Sequence, residues 1–406
     1  MIPVPCIQAQ AIKNHSANFG LFFNKYTEID DNKLDVPVDA QKQWVSRYDA
    51  FTRSDGAKRL RHHLDTRHLA QSAFCRMWEK KGWRTITLQA RLTSPMILGL
   101  GETHPSETGM LFDRNLGIPY IPASSIKGVV RFAHTLGLLK GEDGVWLEMD
   151  ALQDRFDFDK DDKDVLVEND KTIIPQIFGQ AEKNKARRGA LIVLDAYPLD
   201  IPRLKVDIMN PHYPDYYKGE RGPTEDQNPI PLKFLVVDQG AEFVFRALVK
   251  PNDNSAPDAD DLAGKCRKAY LQALTVEGLG AKTALGYGRF ATPVEGEPAR
   301  MLELFKQIEA EKEKACLAEE QRREQERLEQ MSPDERLIIK IKGLGKDSQS
   351  IADLVKECLD SPAANREVFS ALKARLQELG EWKPDGSKQK KEKMRARNEA
   401  IEKKIQ

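Results

Sequence analysis

The 406-residue chain has few cysteines and no excess of charge of either sign. Its cysteines stand singly, with no CxxC pair, at Cys6, Cys75, Cys266, Cys316 and Cys358. This spacing excludes a zinc finger and a disulfide framework, and it fits a reducing, cytoplasmic compartment. The 63 Lys and Arg residues are balanced by 63 Asp and Glu residues. A nucleic-acid partner would therefore have to be held by a local group of cations and not by the field of the whole chain.

Long apolar runs are also missing. No stretch of about 18 apolar residues occurs, so we expect no transmembrane helix. The first residues, MIPVPCIQAQ, contain no basic segment followed by an apolar run, so we expect no secretory signal. Hydrophobic residues make up 40% of the chain, which is enough for a sizeable core, and a length of 406 residues predicts two or three domains.

The middle of the chain predicts an α+β domain. Residues 83–92 alternate apolar and polar side chains, which is typical of a half-buried strand. An amphipathic helix should follow Ser124 and Ser125, and a second helix should begin near Asp261 and end at a glycine. Further strands are predicted over 189–198, 205–210, 234–240, 241–250 and 283–291. The order strand, helix, strands, helix, strand is that of a modified ferredoxin-like, or RRM-like, domain with large insertions.

The composition divides the chain into three parts. Residues 1–82 form an N-terminal extension with helices that break at Ser54–Gly56, and residues 83–296 form the ferredoxin-like domain. Residues 297–406 begin with a charged helix whose opposite charges stand four apart, continue as a small helical module and end in a basic tail. The tail, from Lys383 onward, has the composition of a disordered segment.

The first candidate binding segment is GLGETHPSETGMLFDRNLGIPYIPASSIKGVVRF, residues 99–132. The proline-stiffened IPYIP loop should deliver Ser124 and Ser125 to a helix N-terminus, with a serine as the N-cap. Lys127 and Arg131 stand four apart and share one helix face. Hydroxyls, free backbone N–H groups and two cations would together make a phosphate site. The alternative is ordinary helix capping beside two solvated cations.

The second candidate segment is GLGAKTALGYGRF, residues 278–290. Its glycines let the backbone approach a ligand closely, and its other side chains supply charge, hydroxyl groups and a stacking surface. The segment is not a Rossmann loop, because a threonine occupies the third glycine position, and GAKT does not complete a P-loop. The alternative is a bulged hairpin that holds no ligand. The candidate residues are Gly278, Gly280, Lys282, Thr283, Gly286, Tyr287 and Arg289.

These segments resemble a known family. PSETGMLFDRNLGIPYIPASSIKGVVRFA is similar to the signature of RAMP proteins, and GLGAKTALGYGRF is similar to their glycine-rich loop. Between them, RRGALIVLDAYP, DIMNPHYPDYY and NPIPLKFL resemble the sixth-subunit family of the Cmr (type III-B) CRISPR effector. The resemblance covers roughly residues 84–292 and does not extend to the last hundred residues. Ala123 departs from the pattern, which more often has glycine there.

The resemblance implies a guide-RNA-binding, non-catalytic subunit that caps the 3′ end of the effector complex in antiviral defence. Its partners would be the guide RNA, the guide–target duplex and other RAMP subunits, with no membrane, cofactor or metal. Ser124, Ser125, Lys127, Arg131, Lys282 and Thr283 would contact guide phosphates. The insertion at residues 207–231 would project as a hairpin whose His212, Tyr213, Tyr216 and Tyr217 wedge against bases. Alternatively, this tyrosine-rich loop packs on its own domain.

Two further functions remain open from the sequence. A RAMP endoribonuclease would cleave target RNA with Asp113, or process guide RNA with a histidine as general acid or base. The histidines nearest the motifs are His15, His104, His134 and His212, and no pair is spaced convincingly. A plain scaffold would contact only other proteins.

Overall fold

The computed structural model describes residues 18–27, 36, 40–53, 56–106, 108–141, 144–153, 157–158, 166–167, 173–180, 186–210, 219, 221–222, 224, 231–251, 259–383 and 388–406. The chain divides into two compact units, Met1–Phe305 and Lys306–Gln406. No helix in the described ranges combines the length and the apolar composition needed to cross a bilayer.

The first unit contains all the strands and the helices α1 (Phe19–Lys25), α2 (Ala40–Arg53), α3 (Gly56–Glu79), α4 (Ala123–Leu138), α5 (Met149–Gln153), α6 (Ile174–Phe178) and α7 (Ala259–Gln272), with a π turn at Ala273–Glu277. The strands are β1 (Arg84–Arg91), β2 (Asp157–Phe158), β3 (Leu166–Val167), β4 (Gly179–Gln180), β5 (Arg187–Arg188), β6 (Leu191–Val193), β7 (Tyr197–Pro198), β8 (Leu204–Met209), β9 (Leu232–Val237), β10 (Glu242–Val249) and β11 (Val294–Glu295). The remaining helices are α8 (Ala299–Gln330), α9 (Pro333–Lys342), α10 (Ser348–Asp360), α11 (Arg366–Glu378) and α12 (Lys388–Ile405).

The main sheet has the topology of a ferredoxin-like unit. Its strands lie in the order β11-β1-β10-β6, with β7 also paired to β10, and every pair is antiparallel. With β1, β6–β7, β10 and β11 taken as the first to fourth strands, the order is 4-1-3-2. Helix α4 follows the first strand and α7 follows the third. Right-handed crossovers place both helices on one face of the sheet. The predicted α+β, ferredoxin-like class is confirmed.

The other face of the sheet is covered by the N-terminal extension. Strand β10 is buried from Phe243 to Val249, because both of its faces are covered. Phe243 and Phe245 share a hydrophobic cluster with residues of α7. Since side chains alternate along a strand, Arg246 points to the opposite face, where it contacts His68 and Gln71 of α3. The sheet therefore lies between two helical layers.

The fully buried Arg246 is the polar centre of that second layer. Its Nε and Nη2 donate to the two carboxylate oxygens of Glu297, at 3.0 and 2.6 Å. Its Nη1 donates to His68 Nδ1 and to Gln71 Oε1, both at 3.1 Å. His68 Nε2 in turn donates to the Pro198 carbonyl at 2.9 Å. A buried cation is stable only when it is paired and hydrogen-bonded in this way.

Two strand predictions are wrong. The predicted strand over 189–198 is interrupted at Leu194–Asp195, where the chain leaves the ladder between β6 and β7. The predicted strand over 283–291 is a loop, because Thr283–Leu285 forms a 3₁₀ turn. The last strand of the sheet, β11, lies further along the chain. Glycine-rich turn geometry at 286–288 overrides the apolar alternation that predicted the strand.

The second unit is a helical module with its own core. Leu337, Leu354, Phe369 and Leu372 are buried together there. Its helices begin at strong N-caps, including a capping box at Ser332 and Glu335. The disordered tail predicted from Lys383 is wrong, since residues 388–405 are helical with Met394 and Ile401 buried. Seven residues separate these two side chains, which puts them on one face of the helix.

Helix α8 spans residues 299–330 and is mostly exposed after its first turns. Its predicted i,i+4 charge pairing is confirmed, with Arg322 beside Glu326 and Arg323 beside Glu319. Exposed ion pairs of this kind each stabilise a helix by roughly 0.3–0.5 kcal/mol.

The buried His68 predicts a pH dependence of stability. Burial, opposed by the Pro198 hydrogen bond and reinforced by the charge of Arg246, lowers the pKa of His68 from 6.5 to about 4. Between these values the unfolded chain binds more protons than the folded chain, so stability falls as pH drops from about 6.5 towards 4. We expect a loss on the order of 2 kcal/mol between pH 7 and pH 5 from this group.

The control for this prediction is His68→Gln, which can accept from Arg246 and donate to Pro198 without titrating. Urea unfolding followed by tryptophan fluorescence at pH 7 and pH 5 would measure both chains. The wild type should lose more stability than the variant over this interval. Equal losses would show that His68 does not titrate on unfolding.

Candidate RNA-binding surface

The glycine loop, residues 278–290, owes its shape to close backbone contacts. Gly278, Gly280 and Gly288 have φ values of 81°, 97° and 70°, which side chains other than glycine rarely adopt. A Cβ at Gly280 would lie 2.2 Å from the Ile97 carbonyl oxygen, and one at Gly288 would lie 1.8 Å from the Leu279 carbonyl oxygen. Both positions therefore require glycine.

Hydrogen bonds fix the glycine loop to the segment that follows β1. Gly288 N–H donates to the Pro95 carbonyl at 2.8 Å, and Ala281 N–H donates to the Ile97 carbonyl at 2.9 Å. Arg289 N–H donates to Ser94 Oγ at 3.0 Å. The loop is thus a rigid frame at the end of the sheet where β1 finishes.

The tip of this frame is a turn at Lys282–Gly286. Lys282 adopts a left-handed conformation with φ 58°, and Gly286 N–H donates to the Thr283 carbonyl at 2.9 Å. Lys282 and Thr283 are half-buried, whereas Leu285 is 73% exposed. A charged amine, a hydroxyl and turn backbone are therefore presented together at the surface.

Tyr287 and Arg289 have roles that the sequence did not predict. The Tyr287 hydroxyl donates to Asp207 Oδ2 at 2.7 Å and so ties the glycine loop to strand β8. Burial, and then this hydrogen bond, raises the pKa of Tyr287 to about 12. Arg289 is half-buried, and its Nε has no hydrogen-bond partner within the described part of the chain. Tyr287 is thus committed to an internal contact, and the Nε of Arg289 is buried and not accessible at the surface.

The start of helix α4 differs from the prediction. The helix begins at Ala123 with Pro122 as its N-cap, so the predicted serine cap is wrong. Ser124 and Ser125 lie exposed in the first turn. The Ala123 N–H donates to Asp195 Oδ1 at 2.7 Å, so a carboxylate already occupies part of the positive helix end. This carboxylate disfavours a phosphate at that point.

Lys127 belongs to a cationic cluster beside strand β6. Its Nζ donates to the Leu191 carbonyl at 3.0 Å. Burial, and then the charges of Arg188 and Arg131, lowers the pKa of Lys127. Arg188 is exposed and lies far along the chain from Lys127. No spacing in the sequence indicates that the two cations lie near each other, and only the fold brings their charges within range.

The two predicted segments therefore occupy different places on the sheet. The glycine loop adjoins β1 through the Leu92–Phe290 bridge, and the start of α4 adjoins the opposite edge through the Ile121–Ala196 bridge. The two edges of the sheet, at β11 and at β6, are three strand spacings apart, which is about 14 Å. Leu191, the partner of Lys127, pairs with Val249 at the far end of β10. The candidate residues form a path across the domain and not a single pocket.

Asp113 is a structural residue of the loop that precedes α4. Its Oδ1 accepts from the N–H groups of Asn115 and Leu116, both at 2.8 Å. Its Oδ2 accepts from the buried Tyr197 hydroxyl at 2.9 Å. The carboxylate is buried and shapes a turn, which is the commonest role of such an aspartate.

The candidate histidines do not assemble a catalytic site among the described residues. His104 is buried, stacks on Phe23 with ring centroids 4.2 Å apart, and donates from Nε2 to the Phe23 carbonyl at 2.9 Å. Burial lowers the pKa of His104. His134 lies on α4 near Phe178. In the part of the chain that the structure describes, no three His, Cys, Asp or Glu side chains cluster as metal ligands would.

The insertion predicted over residues 207–231 lies between the antiparallel strands β8 and β9, which pair from Leu204–Val237 to Met209–Leu232. The residues predicted to contact bases, His212 and Tyr213 with Tyr216 and Tyr217, lie outside the described residues, as does His15.

The glycine loop predicts different costs for two glycine-to-alanine changes. Gly286→Ala should destabilise the chain by about 1 kcal/mol, because φ is 92° but a Cβ there meets open space. Gly288→Ala should cost more, on the order of 3 kcal/mol, because the Cβ would also displace the Leu279 carbonyl. Chemical unfolding of both variants would measure the difference. Equal costs would mean that the loop relaxes freely.

Comparison with known proteins agrees with the family resemblance. The model of the RAMP superfamily matches residues 89–291. The CRISPR system Cmr subunit Cmr6 of Pyrococcus furiosus is 32% identical over 240 residues, which are 50% of this chain and 67% of that protein. Cmr6 of Saccharolobus solfataricus is 27% identical over 190 residues, which are 45% of this chain and 48% of that protein.

Two solved structures are also similar. The cryo-EM structure of the type III-B Cmr-beta bound to cognate target RNA has a chain that matches with a TM-score of 0.39 and 21% identity, over 69% of this chain and 87% of that chain. The crystal structure of Cmr6 from Pyrococcus furiosus matches with a TM-score of 0.31 and 29% identity, over 52% of this chain and 98% of that chain. Because the family model matches half of the chain and the Pyrococcus relative is matched over 67% of its length, the chain belongs to the RAMP superfamily and, within it, to the Cmr6 family.

Proposed function

We propose that this chain is a non-catalytic, guide-RNA-binding subunit at the 3′ end of a type III-B CRISPR effector complex. Its Cmr6 relatives are named as subunits of the CRISPR Cmr system, and the position at the 3′ end follows from the family resemblance. The observation that carries RNA binding is the rigid glycine loop. It presents Lys282, Thr283 and the turn backbone together, which is the chemistry that holds a phosphate.

The distribution of charge supports a role in which the chain contacts the sugar–phosphate backbone of RNA. The formal net charge is zero, yet Lys127, Arg131 and Arg188 lie close enough for their charges to interact. Cations placed on a neutral chain would hold the RNA along a defined path, and contacts to phosphates fix register without reading sequence.

Exposed apolar side chains are evidence that this chain contacts neighbouring protein subunits. Phe132 on α4 is exposed, and so are Leu271 on α7 and Val276 in the adjoining π turn. Helix α4 packs against α7, so these residues belong to the same helical layer. Apolar side chains grouped on one layer are typical of a protein contact.

The alternative, an endoribonuclease, has little support. Asp113 is committed to a turn and to Tyr197, and His104 is committed to the aromatic core. A general base must reach the proton that it abstracts, and both groups are buried with their hydrogen bonds directed to other residues of the chain. His134 and the histidines outside the described residues remain to be tested by incubating the purified chain with repeat RNA without metal.

The first test is co-purification of RNA with a tagged chain from its host. Wild-type chain should bring other RAMP subunits and short CRISPR-derived RNAs with a shared repeat-derived 5′ tag. Lys282→Glu in the assembled complex should weaken guide binding and lower the slope of log K against log salt by about 0.7, because one phosphate contact to a single strand is lost. The control is Lys268→Glu, which reverses an exposed lysine on α7.

Two outcomes would contradict the proposal. An RNA-free, partner-free monomer would contradict membership in the complex. An unchanged salt slope for Lys282→Glu, with partners retained, would favour a scaffold that contacts only protein.

Asp113 provides the test of catalysis. Asp113→Asn keeps the Oδ1 acceptor of the turn and removes the carboxylate charge, so target-RNA cleavage by the assembled complex should be unchanged. Asp113→Ala should instead lower stability by roughly 1–3 kcal/mol, since two buried N–H groups lose their acceptor. Loss of one cleavage position in the Asp113→Asn complex would show that the aspartate is catalytic.

A further inference from the structure

A groove of about 600 Å³ lies on the helical module, between α10 and α12. Both of these helices pack against α11, and the groove is the space left between them. The lining that α10 contributes runs from Ser348 to Asp360, which is the whole length of that helix. At a rise of 1.5 Å per residue this stretch is about 18 Å long. The groove is therefore long enough for about three turns of a further helix.

Aliphatic side chains form the floor of the groove. Ile351, Val355 and Leu359 of α10 stand four residues apart and so lie along one face of the helix. Met394 contributes from α12, and the small, exposed Ala352 leaves the floor open beside them. None of the described residues that line the groove is aromatic. A stripe of this kind is complementary to the apolar stripe of an amphipathic helix.

The rim of the groove carries an excess of positive charge. Its charged residues are the cations Lys356, Lys390, Lys393 and Arg397 and the acids Asp360 and Glu381. Lys390 and Arg397 have partners within the chain, and the one for Arg397 is the Glu381 carbonyl. Lys356 and Lys393 are exposed, and neither has an ion-pair or hydrogen-bond partner among the described residues. These two cations are available to a ligand.

Helix α12 concentrates positive charge along one wall of the groove. It contains eight Lys and Arg residues and three Glu residues, although the formal net charge of the whole chain is zero. A ligand that fits here should therefore carry negative charge on both sides of an apolar surface.

We infer that this groove binds an acidic amphipathic helix of a partner protein. The apolar stripe of that helix would lie on the aliphatic floor, and Asp or Glu residues that flank the stripe would pair with Lys356 on one side and Lys393 on the other. Helix-in-groove recognition of this kind uses apolar anchors at every third or fourth residue, which is the spacing of the floor.

Three other occupants fit the groove less well. An RNA strand would pair with the cations, but the lining offers no ring on which a base could stack. A second copy of this chain, related by a two-fold axis, would bring the same cations against each other. An anionic membrane would need an exposed apolar face on α12, whereas Met394 and Ile401 are buried.

The test uses the full-length chain and a fluorescein-labelled peptide of about 18 residues, long enough to form a helix in water. The peptide carries leucine at every third or fourth position and glutamate on both flanks of the leucine stripe. Fluorescence anisotropy should show binding to the wild type with a micromolar Kd. A peptide of the same composition with its leucines spread around the helix should bind about tenfold more weakly, because it cannot offer apolar and acidic surface side by side.

Charge reversal at the rim provides the matched pair of variants. Lys393→Glu should weaken binding of the leucine-stripe peptide about tenfold, because an attractive contact becomes repulsive. The control is Lys391→Glu, which makes the same change at an exposed lysine of the same helix that does not line the groove. This control should change the affinity by less than about threefold, since only the screened, long-range charge differs. Ala352→Glu should abolish binding by filling the floor, and it should leave the fold intact because Ala352 is exposed.

Four outcomes would overturn the inference. Equal losses from Lys391→Glu and Lys393→Glu would show that only the overall charge of α12 matters. Absence of peptide binding up to millimolar concentration would show that the groove does not accept a helix. Tighter binding of labelled oligoadenylate or of phosphatidylserine vesicles, lost in Lys393→Glu, would make the groove an RNA or membrane site. Dimerisation in analytical ultracentrifugation, lost in Ala352→Glu, would make it an interface between copies of this chain.

Discussion

Close contact between two backbones holds together the end of this domain that we propose binds RNA. The glycine loop lies directly on the segment after β1, and Gly280 and Gly288 leave no room for a Cβ. Main-chain hydrogen bonds from Gly288 and Ala281 to the Pro95 and Ile97 carbonyls then hold the loop against that segment. Because this frame is made of backbone, the side chains at Lys282 and Thr283 are not needed for the fold and remain available to a ligand. A mobile loop could offer the same side chains but would lose entropy when it ordered on the RNA.

The N-terminal extension decides which surfaces of the sheet can act. A ferredoxin-like unit places both crossover helices on one face and leaves the other face open. Here helix α3 covers that face, and the buried Arg246, paired with Glu297 and His68, fixes the helix to the sheet. Bases could not stack on this covered face, so under the proposed function the RNA would contact the ends and edges of the sheet. The position of the glycine loop, at one end of the sheet, is consistent with this confinement.

The distribution of charge fits the proposed role, in which the chain contacts the phosphates of the RNA and does not recognise base sequence. A formal net charge of zero gives no long-range attraction, so each cation has to act where the fold places it. Asp195 at the start of α4 makes the helix end a poor phosphate site, whereas Lys127, Arg131 and Arg188 concentrate charge beside β6. Asp113 and His104 make their hydrogen bonds within the loop and the core.

The sequence by itself determined the fold class, the family, the two helices of the domain and the glycine loop. Apolar periodicity and glycine content are local properties, and local properties can be read from neighbouring residues. Only the tertiary structure decided that Pro122 and not a serine caps α4, and that residues 283–291 turn instead of forming a strand. It also decided that Tyr287 bonds to Asp207 and that the charge of Arg188 lies near enough to act on Lys127. These contacts join residues far apart in the chain, and their partners are set by sheet register and helix packing, which no local pattern encodes.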